Sequence, residues 1–338
     1  MRDRKGENVK YRNILVTGAM GFIGFNALRR WTKLYPECRF YGTHADTYAD
    51  RFMTADKDKW TVENRFPCWI FDLSDSVQAL VLSGMVEKYE IDAVVHFAAE
   101  SHVDNSISGP AKFFRSNAFG TANILEIARK LNLRVHIVST DEVYGPTVPD
   151  DWKSGPDAAD LSLKPLRPSS PYSSSKAAGD LAALSYFRTY GTAVTVSRCV
   201  NNAGEYQHSE KLIGTTVLNA VRNRKIPVYA SGDQKRHWIH VDDHNDQVMK
   251  ILQTGTPGKI YNIAPPPENW ITNMELIRRI LGLLGKPESL IKHVKDRPGH
   301  DFSYFLTPSL NMKTKTVSEF LPGVVDWYAR KFKSANVK

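Results

Sequence analysis

Cysteine is scarce in this chain. Its 338 residues hold three (Cys38, Cys68, Cys199), an odd number set far apart, which gives neither a disulfide framework nor a CxxC zinc pattern. A reducing compartment follows. No apolar run approaches the roughly 20 residues of a membrane span. The basic N-terminus MRDRKGENVKYR leads into a strand, not into the apolar stretch of a signal peptide. A cytoplasmic protein with no membrane partner is therefore expected. Repeats and low-complexity linkers are missing, as are RNP, KH and zinc-finger patterns. Without a G-x-S-x-G elbow, Ser/His/Asp hydrolase chemistry has no support.

What is present is ordinary globular composition, 42% hydrophobic, in a chain long enough for one large or two modest domains. Lys and Arg number 45 against 36 Asp and Glu, so 45 − 36 = +9. Five of the basic residues fall in the first twelve positions, where a solvated tail accounts for them. A nucleic-acid partner is not expected from charge alone.

Short buried strands alternate with helices over the first 200 residues. Strands are read at Asn13–Gly18, Arg39–Thr43, Pro67–Phe71, Asp92–Ala98, Val135–Ser139 and Ala193–Cys199. Helices are read at Gly21–Leu34, Val77–Tyr89, Ala111–Leu131 and Pro171–Tyr190, with a polar stretch between the second and third strands. This alternation predicts an α/β fold, a Rossmann-type doubly wound parallel sheet covered on both faces. Beyond Cys199 short strands (Pro227–Ala230, Lys259–Ile263) mix with helices near Glu210–Asn223, Asp243–Leu252 and Asn273–Leu284. The expected organisation is a basic tail 1–12, a dinucleotide-binding domain 13–200, and a smaller mixed α/β substrate cap 201–338 with return segments to the first domain. The cap should sit at the carboxyl edge of the sheet, where ligands bind in such folds.

Gly18-Ala-Met-Gly21-Phe-Ile-Gly24 joins the first strand to the first helix. Glycines there permit the tight turn, close approach of a pyrophosphate and close helix–strand packing, while the helix N-terminus offers N–H donors. Tyr172-Ser-Ser-Ser-Lys176 opens the long helix near residue 171. One turn apart, the lysine ammonium can lower the tyrosine pKa and hold a nicotinamide ribose, making a phenolate base for a sugar hydroxyl. His240-Val-Asp242-Asp243-His244 reads as a strand end followed by an Asp-capped helix, so no metal site is expected.

Together these motifs resemble the extended, nucleotide-sugar-modifying branch of the short-chain dehydrogenase/reductase superfamily. The likeness sharpens at Ser139-Thr-Asp-Glu-Val-Tyr-Gly145, Ala98-Ala-Glu-Ser-His-Val-Asp-Asn-Ser106, Asn201-Asn202, Glu210-Lys-Leu-Ile213 and Asp296-Arg-Pro-Gly-His-Asp301. These are similar, in order, to the signatures of nucleoside-diphosphate-glucose 4,6-dehydratases, and the resemblance spans essentially the whole chain. It implies the following chemistry. Tyr172 takes the 4-hydroxyl proton as hydride leaves carbon 4 for a nicotinamide, with Thr140 positioning the hydroxyl and Lys176 the ribose. Glu142 then removes the proton from carbon 5, Asp141 protonates the departing 6-hydroxyl, and the hydride returns to carbon 6. The Asp141–Glu142 pair separates this reaction from 4-epimerisation, which needs no acid–base pair for water loss.

The resemblance also places ligands. Gly18, Gly21, Phe22, Ile23, Gly24, Thr43, His44, Asp46, Thr47, Asp72, Leu73, Ala98, Ala99, Ser116, Tyr172, Lys176 and Asn202 match cofactor positions. Ser101, Thr140, Asn201, Lys211, Leu212, Pro227, Val228, Tyr229, Arg236, Asn262, Arg297 and His300 match positions around the nucleotide sugar, the two arginines suiting a diphosphate.

Several positions depart from the family. His44 stands where an Asp binds the adenosine ribose of NAD, with Asp46 two residues on. Loss of that carboxylate removes the main repulsion against a 2′-phosphate, and Thr43, His44 or Arg51 could donate to one. NADP is therefore expected beside NAD or in preference to it. Ala203, Glu205 and Ser209 interrupt the segment before the 210–213 motif. Asn105 replaces an arginine usual in dTDP-sugar enzymes and tilts the expectation towards UDP-glucose over dTDP-glucose. The alternatives are a 4-epimerase or 4-keto reductase of the same superfamily, or a catalytically silent dinucleotide- or nucleic-acid-binding protein on this fold. Relatives form homodimers by packing two long helices into a four-helix bundle, so Ala111–Leu131 and Pro171–Tyr190 are the expected interface.

Overall fold

The structure, a computed structural model, describes residues 9–152 and 164–334; the first eight residues of the basic tail lie outside the described residues. Its centre is a seven-stranded parallel sheet. The strands are β1 (Asn13–Thr17), β2 (Arg39–His44), β3 (Cys68–Ile70), β4 (Ala93–His96), β5 (Arg134–Thr140), β6 (Val194–Cys199) and a return strand from the second half of the chain, Ile260–Ile263. In space they run return strand, β6, β5, β4, β1, β2, β3. Consecutive side chains of β1 point to opposite faces, which divides the core. Ile14 and Val16 pack with Phe25, Leu28 and Trp31 of helix α1 (Phe22–Leu34) and with Val248 and Leu252 of the helix Val241–Thr254. Leu15 faces the other layer, with Leu82, Ile124, Leu125, Ala183 and Leu184.

Short runs dominated by apolar residues, such as NILVT and AVVH, form fully or almost fully buried strands because both faces of a parallel sheet are covered. The chain crosses over β1 between β3 and β4, so winding reverses at β1 and opens a crevice at the carboxyl ends of β1 and β4. This is a Rossmann-type α/β fold.

Two local readings are corrected. The polar stretch after β2 folds into two helices, α2 (Tyr48–Arg51) and α3 (Thr54–Glu63), the first started by a reciprocal Thr47–Asp50 capping box. The single helix expected over Ala111–Leu131 is three pieces, Pro110–Phe114, a wider π turn Arg115–Phe119, and Gly120–Leu131. The π turn directs Asn117 inward. Its side chain donates to Glu100 O (3.0 Å) and Ser175 Oγ (2.9 Å) and accepts from Glu100 N (2.8 Å), clamping the loop after β4 to the 171–190 helix. The strand Ile260–Ile263 and the helix Val241–Thr254, from the second half of the chain, lie on the main sheet, the strand pairing with β6.

The cap lies at the crevice. Its core joins Ile213 and Val217 of the helix Leu212–Val221, Leu276 and Ile280 of Asn273–Leu284, and Val317, Leu321, Val325 and Tyr328 of Val317–Ser334. A strand Ile226–Tyr229 pairs in parallel with Ile291–Val294, and Lys235–His240 lies between Asn201–Ala203 and Trp270–Thr272.

Candidate active site

A cleft of about 300 Å³ runs along the carboxyl ends of the central strands. One end is the glycine turn. Gly18 adopts φ +67, and a Cβ there would meet Ala98 N at 2.8 Å; a Cβ on Gly24 would lie 2.3 Å from Gly18 O. No larger residue fits either place. Phe22 through Gly24 start α1, whose first N–H groups face the cleft. Lys57, buried, donates to Met20 O (2.6 Å) and Asp50 O (3.0 Å) and so ties the turn to α2.

The other end holds the reactive side chains. β5 ends at Thr140, and a tight turn of 3₁₀ helix, Asp141–Tyr144, carries the acid pair. Thr140 Oγ1 donates to Asp141 Oδ1 at 3.2 Å and accepts from Glu142 N at 3.3 Å. The hydroxyl also opposes the rise of the Tyr172 phenol pKa. Tyr172 and Lys176 enter on the helix Pro171–Tyr190, which is started by a Ser170–Ser173 capping box and Pro171 in its first turn.

Burial raises both carboxyls, but their charged neighbours differ. Burial, then the charge of Glu142, pushes Asp141 up to about 8. Glu142 is also raised by burial, but the cations of Arg236, Arg297 and Lys211 oppose that rise. At neutral pH Asp141 is therefore held protonated, its buried Oδ2 without a partner among the described residues, while the cations favour the ionised form of Glu142 against burial.

Tyr172 departs from expectation. Burial first, then Glu142, hold its phenol well above the ordinary value. Lys176 donates instead to Val138 O at 2.8 Å, and burial lowers its own pKa. One helical turn of spacing brings the two to the same cleft, yet burial first and the nearby carboxylate second govern the phenol.

The cleft gathers nearly all the cofactor positions read from sequence: Gly18, Gly21, Phe22, Ile23, Gly24, Thr43, His44, Thr47, Asp72, Leu73, Ala98, Ala99, Ser116, Tyr172, Lys176 and Asn202. Buried Thr43 Oγ1 and Asn202 Oδ1 have no partner among the described residues, as atoms awaiting a polar ligand would. Residues and cradle fit a nicotinamide dinucleotide. Asp46 is the exception. It is exposed, at φ +53, outside the cleft lining, and held by Arg51 through two bonds (3.1 and 2.9 Å).

Of the substrate positions, Ser101, Thr140, Asn201 and Lys211 line the cleft, Lys211 donating to Ser101 O at 2.9 Å. The others flank it or lie behind it. Arg297 donates to Asp104 Oδ1 (2.8 Å) and Tyr229 to Asp104 Oδ2 (3.1 Å), a clasp between the two halves of the chain. The His300 ring lies edge-on to Tyr229, and its Nδ1 pairs with Asp296 at 2.6 Å. Arg236 donates to the carbonyls of Asp301 (2.8 Å) and Lys235 (2.8 Å) and sits over the Tyr304 ring.

Asn262, Leu212 and Val228 are turned to packing rather than to the cleft. Asn262 accepts from Tyr144 on the return strand, and Leu212 and Val228 join cap clusters; Pro227 is exposed. His240 caps the helix Val241–Thr254, while Asp242 and Asp246 pair with Arg30. Among the described residues no group of three or more His, Cys, Asp or Glu is placed to hold a metal.

Sequence reasoning missed Asp50, Glu100, Cys199, His208 and Glu210, which also line the cleft. For Asp50 a signal existed, since Thr47-x-x-Asp50 is a capping-box spacing. His208 and Glu210 lie in an irregular segment with no periodicity to reveal their direction.

The fold and this constellation define a dinucleotide-dependent enzyme class, and comparison agrees: the chain belongs to the NAD dependent epimerase/dehydratase family, whose profile matches residues 14–264. Within it the chain belongs to the nucleoside-diphosphate-glucose 4,6-dehydratase branch of the extended short-chain dehydrogenases/reductases. It is 39% identical over 322 residues to the dTDP-glucose 4,6-dehydratase of Mycolicibacterium smegmatis, covering 93% of this chain and 92% of that one. The Haemophilus influenzae dTDP-glucose 4,6-dehydratase is 41% identical over 315 residues, covering 87% and 89%. Among solved structures, the Bacillus anthracis dTDP-glucose 4,6-dehydratase in complex with NAD superposes with a TM-score of 0.82 at 34% identity, covering 95% of this chain and 98% of that one.

Proposed function

We propose that the protein is a nucleoside-diphosphate-glucose 4,6-dehydratase, a hydro-lyase that makes the 4-keto-6-deoxy sugar. The observation that carries this is the pair of carboxyls Asp141 and Glu142 side by side, the first raised by burial and the second facing three cations, where a 4-epimerase or a 4-keto reductase needs no such pair. The glycine turn, Thr43, Tyr172, Lys176 and Asn202 would hold the dinucleotide, which when bound takes up and later returns a hydride. Tyr172 would accept the proton of the 4-hydroxyl, held in line by Thr140, once its phenol is ionised; burial and the Glu142 charge oppose that ionisation, and the positive charge of a bound nicotinamide would favour it. The ketone at carbon 4 then acidifies carbon 5. Glu142 removes that proton, and Asp141 delivers its own to the 6-hydroxyl, which departs as water. Arg236, Arg297 and Lys211 favour the ionised form of Glu142 against its burial.

Arg236, Arg297, His300 and Tyr229 form the wall where the diphosphate and nucleoside would lie. The relatives' activity supports dTDP-glucose as substrate. Asn105 in place of the arginine usual in dTDP-sugar enzymes favours a second reading, UDP-glucose. The cofactor is assigned as NAD, with NADP the alternative opened by His44. A homodimer is assigned to the exposed Phe119 of the π turn and to Leu181 and Tyr190 of the helix Pro171–Tyr190.

Turnover of dTDP-glucose and UDP-glucose, each with NAD or NADP, tests the assignment by product mass. Loss of one water without net cofactor consumption is expected. A sugar of unchanged mass and new configuration, or no product under any combination, would overturn it.

A further inference from the structure

The strand end that should bind the adenosine ribose carries His44, yet a carboxylate is present in that corner of the cleft. It comes from Asp50, six residues later, on the first turn after β2. Asp50 is buried and lines the cleft together with Thr43, His44 and Thr47. Its Oδ2 accepts from Thr47 N (2.8 Å) and Thr47 Oγ1 (3.0 Å) and lies 3.5 Å from His44 Nδ1. Its Oδ1 faces the glycine turn, 4.0 Å from where a Cβ of Gly21 would stand. The His44 and Thr47 bonds outweigh the cost of burial, so the group stays ionised.

The cations nearby are already engaged. Arg51 is gripped by Asp46 and exposed. Lys57 is buried, with its ammonium on the carbonyls of Met20 and Asp50.

We propose that Asp50, delivered from helix α2, replaces the missing strand-end carboxylate: it takes the ribose hydroxyls of NAD and excludes the 2′-phosphate of NADP. A carboxylate accepts from two vicinal hydroxyls but repels a phosphate dianion at the same spot. His44 acts beside it as a positioning residue in the form that carries a proton on Nδ1, which then faces the Asp50 carboxylate at 3.5 Å; in the other tautomer the same nitrogen accepts from Asp46 N (3.2 Å) instead. Asp50 thus reverses the expectation drawn from His44 alone. The proposal rests on reading the cleft as a dinucleotide site, and the test separates the two.

Dinucleotide released from the purified protein is identified by chromatography, and thermal stabilisation by added NAD and NADP is titrated for wild type, Asp50→Asn, and Asp50→Asn combined with His44→Asp. Asparagine can still cap Thr47, so the fold is kept. Wild type should carry NAD and bind it at least about tenfold more tightly than NADP. Asp50→Asn should narrow that ratio by about ten- to hundredfold, and the added His44→Asp should restore it. Equal binding of both dinucleotides by wild type, or NADP preference, overturns the role of Asp50 while leaving the dinucleotide site standing. So does a variant that weakens both cofactors equally, since that is the mark of a purely structural cap. No released dinucleotide and no stabilisation by either would overturn both readings.

Discussion

Two neighbouring carboxyls on one turn of 3₁₀ helix meet different surroundings. Asp141 is turned into the protein beside a single hydroxyl, and Glu142 faces three cations. Dehydration needs Asp141 protonated, so kcat should fall as pH rises through about 8; a pH–rate profile checks this. The same shift acts on stability. The folded carboxyl titrates near 8 and the unfolded one near its ordinary 3.8, so its favourable contribution is complete below the lower value and is lost as pH climbs towards the upper. Asp141→Asn should therefore raise the melting temperature relative to wild type at pH 8 more than at pH 5, while kcat drops about a hundredfold or more. Glu142→Gln should separate the half-reactions. Oxidation at carbon 4 continues, elimination slows by about 10²–10⁴, and reduced nicotinamide builds up in its near-ultraviolet band during a single turnover. Both residues were legible from the sequence, because the adjacent pair falls at a strand end within a recognisable motif. The charge balance that assigns their roles was not, since Arg236, Arg297 and Lys211 arrive from three distant segments.

At the scale of elements, the parts read correctly were those whose pattern is local. Alternating buried strands and helices of 12 or more residues are fixed by periodicity. The failures lie where tertiary contacts override it. The 110–131 helix widens at Arg115–Phe119 because Asn117 serves two partners outside its own helix, and no sequence period encodes that. The four-residue α2 is too short to show a period at all. The glycine turn is the most constrained element. A methyl at Gly24 would sit 2.3 Å from Gly18 O. Gly24→Ala should destabilise the protein by about 1–3 kcal/mol and abolish stabilisation by added NAD, a result readable in a melting titration.

For the whole molecule, the two halves are joined by side chains of the site itself, Asp104 gripping Arg297 and Tyr229, and Lys211 reaching Ser101 O. On the opposite flank Phe119, 65% exposed, and Leu181, 57% exposed, are large apolar side chains on neighbouring helical segments. If this face joins two copies, Leu181→Arg should convert a dimer into a monomer in light-scattering chromatography without shifting the Asp141 limb of the pH profile. An unchanged mass would place the interface elsewhere.

The last strand of the central sheet is supplied by residues 260–263, sixty residues after its partner β6 ends. During synthesis the sheet therefore stays open at β6 until much of the cap has left the ribosome, and a nascent chain stopped near residue 200 exposes an unpaired edge. The nucleotide-binding half is no portable module, and evolution could not readily have exchanged one cap for another without also rebuilding the sheet's edge.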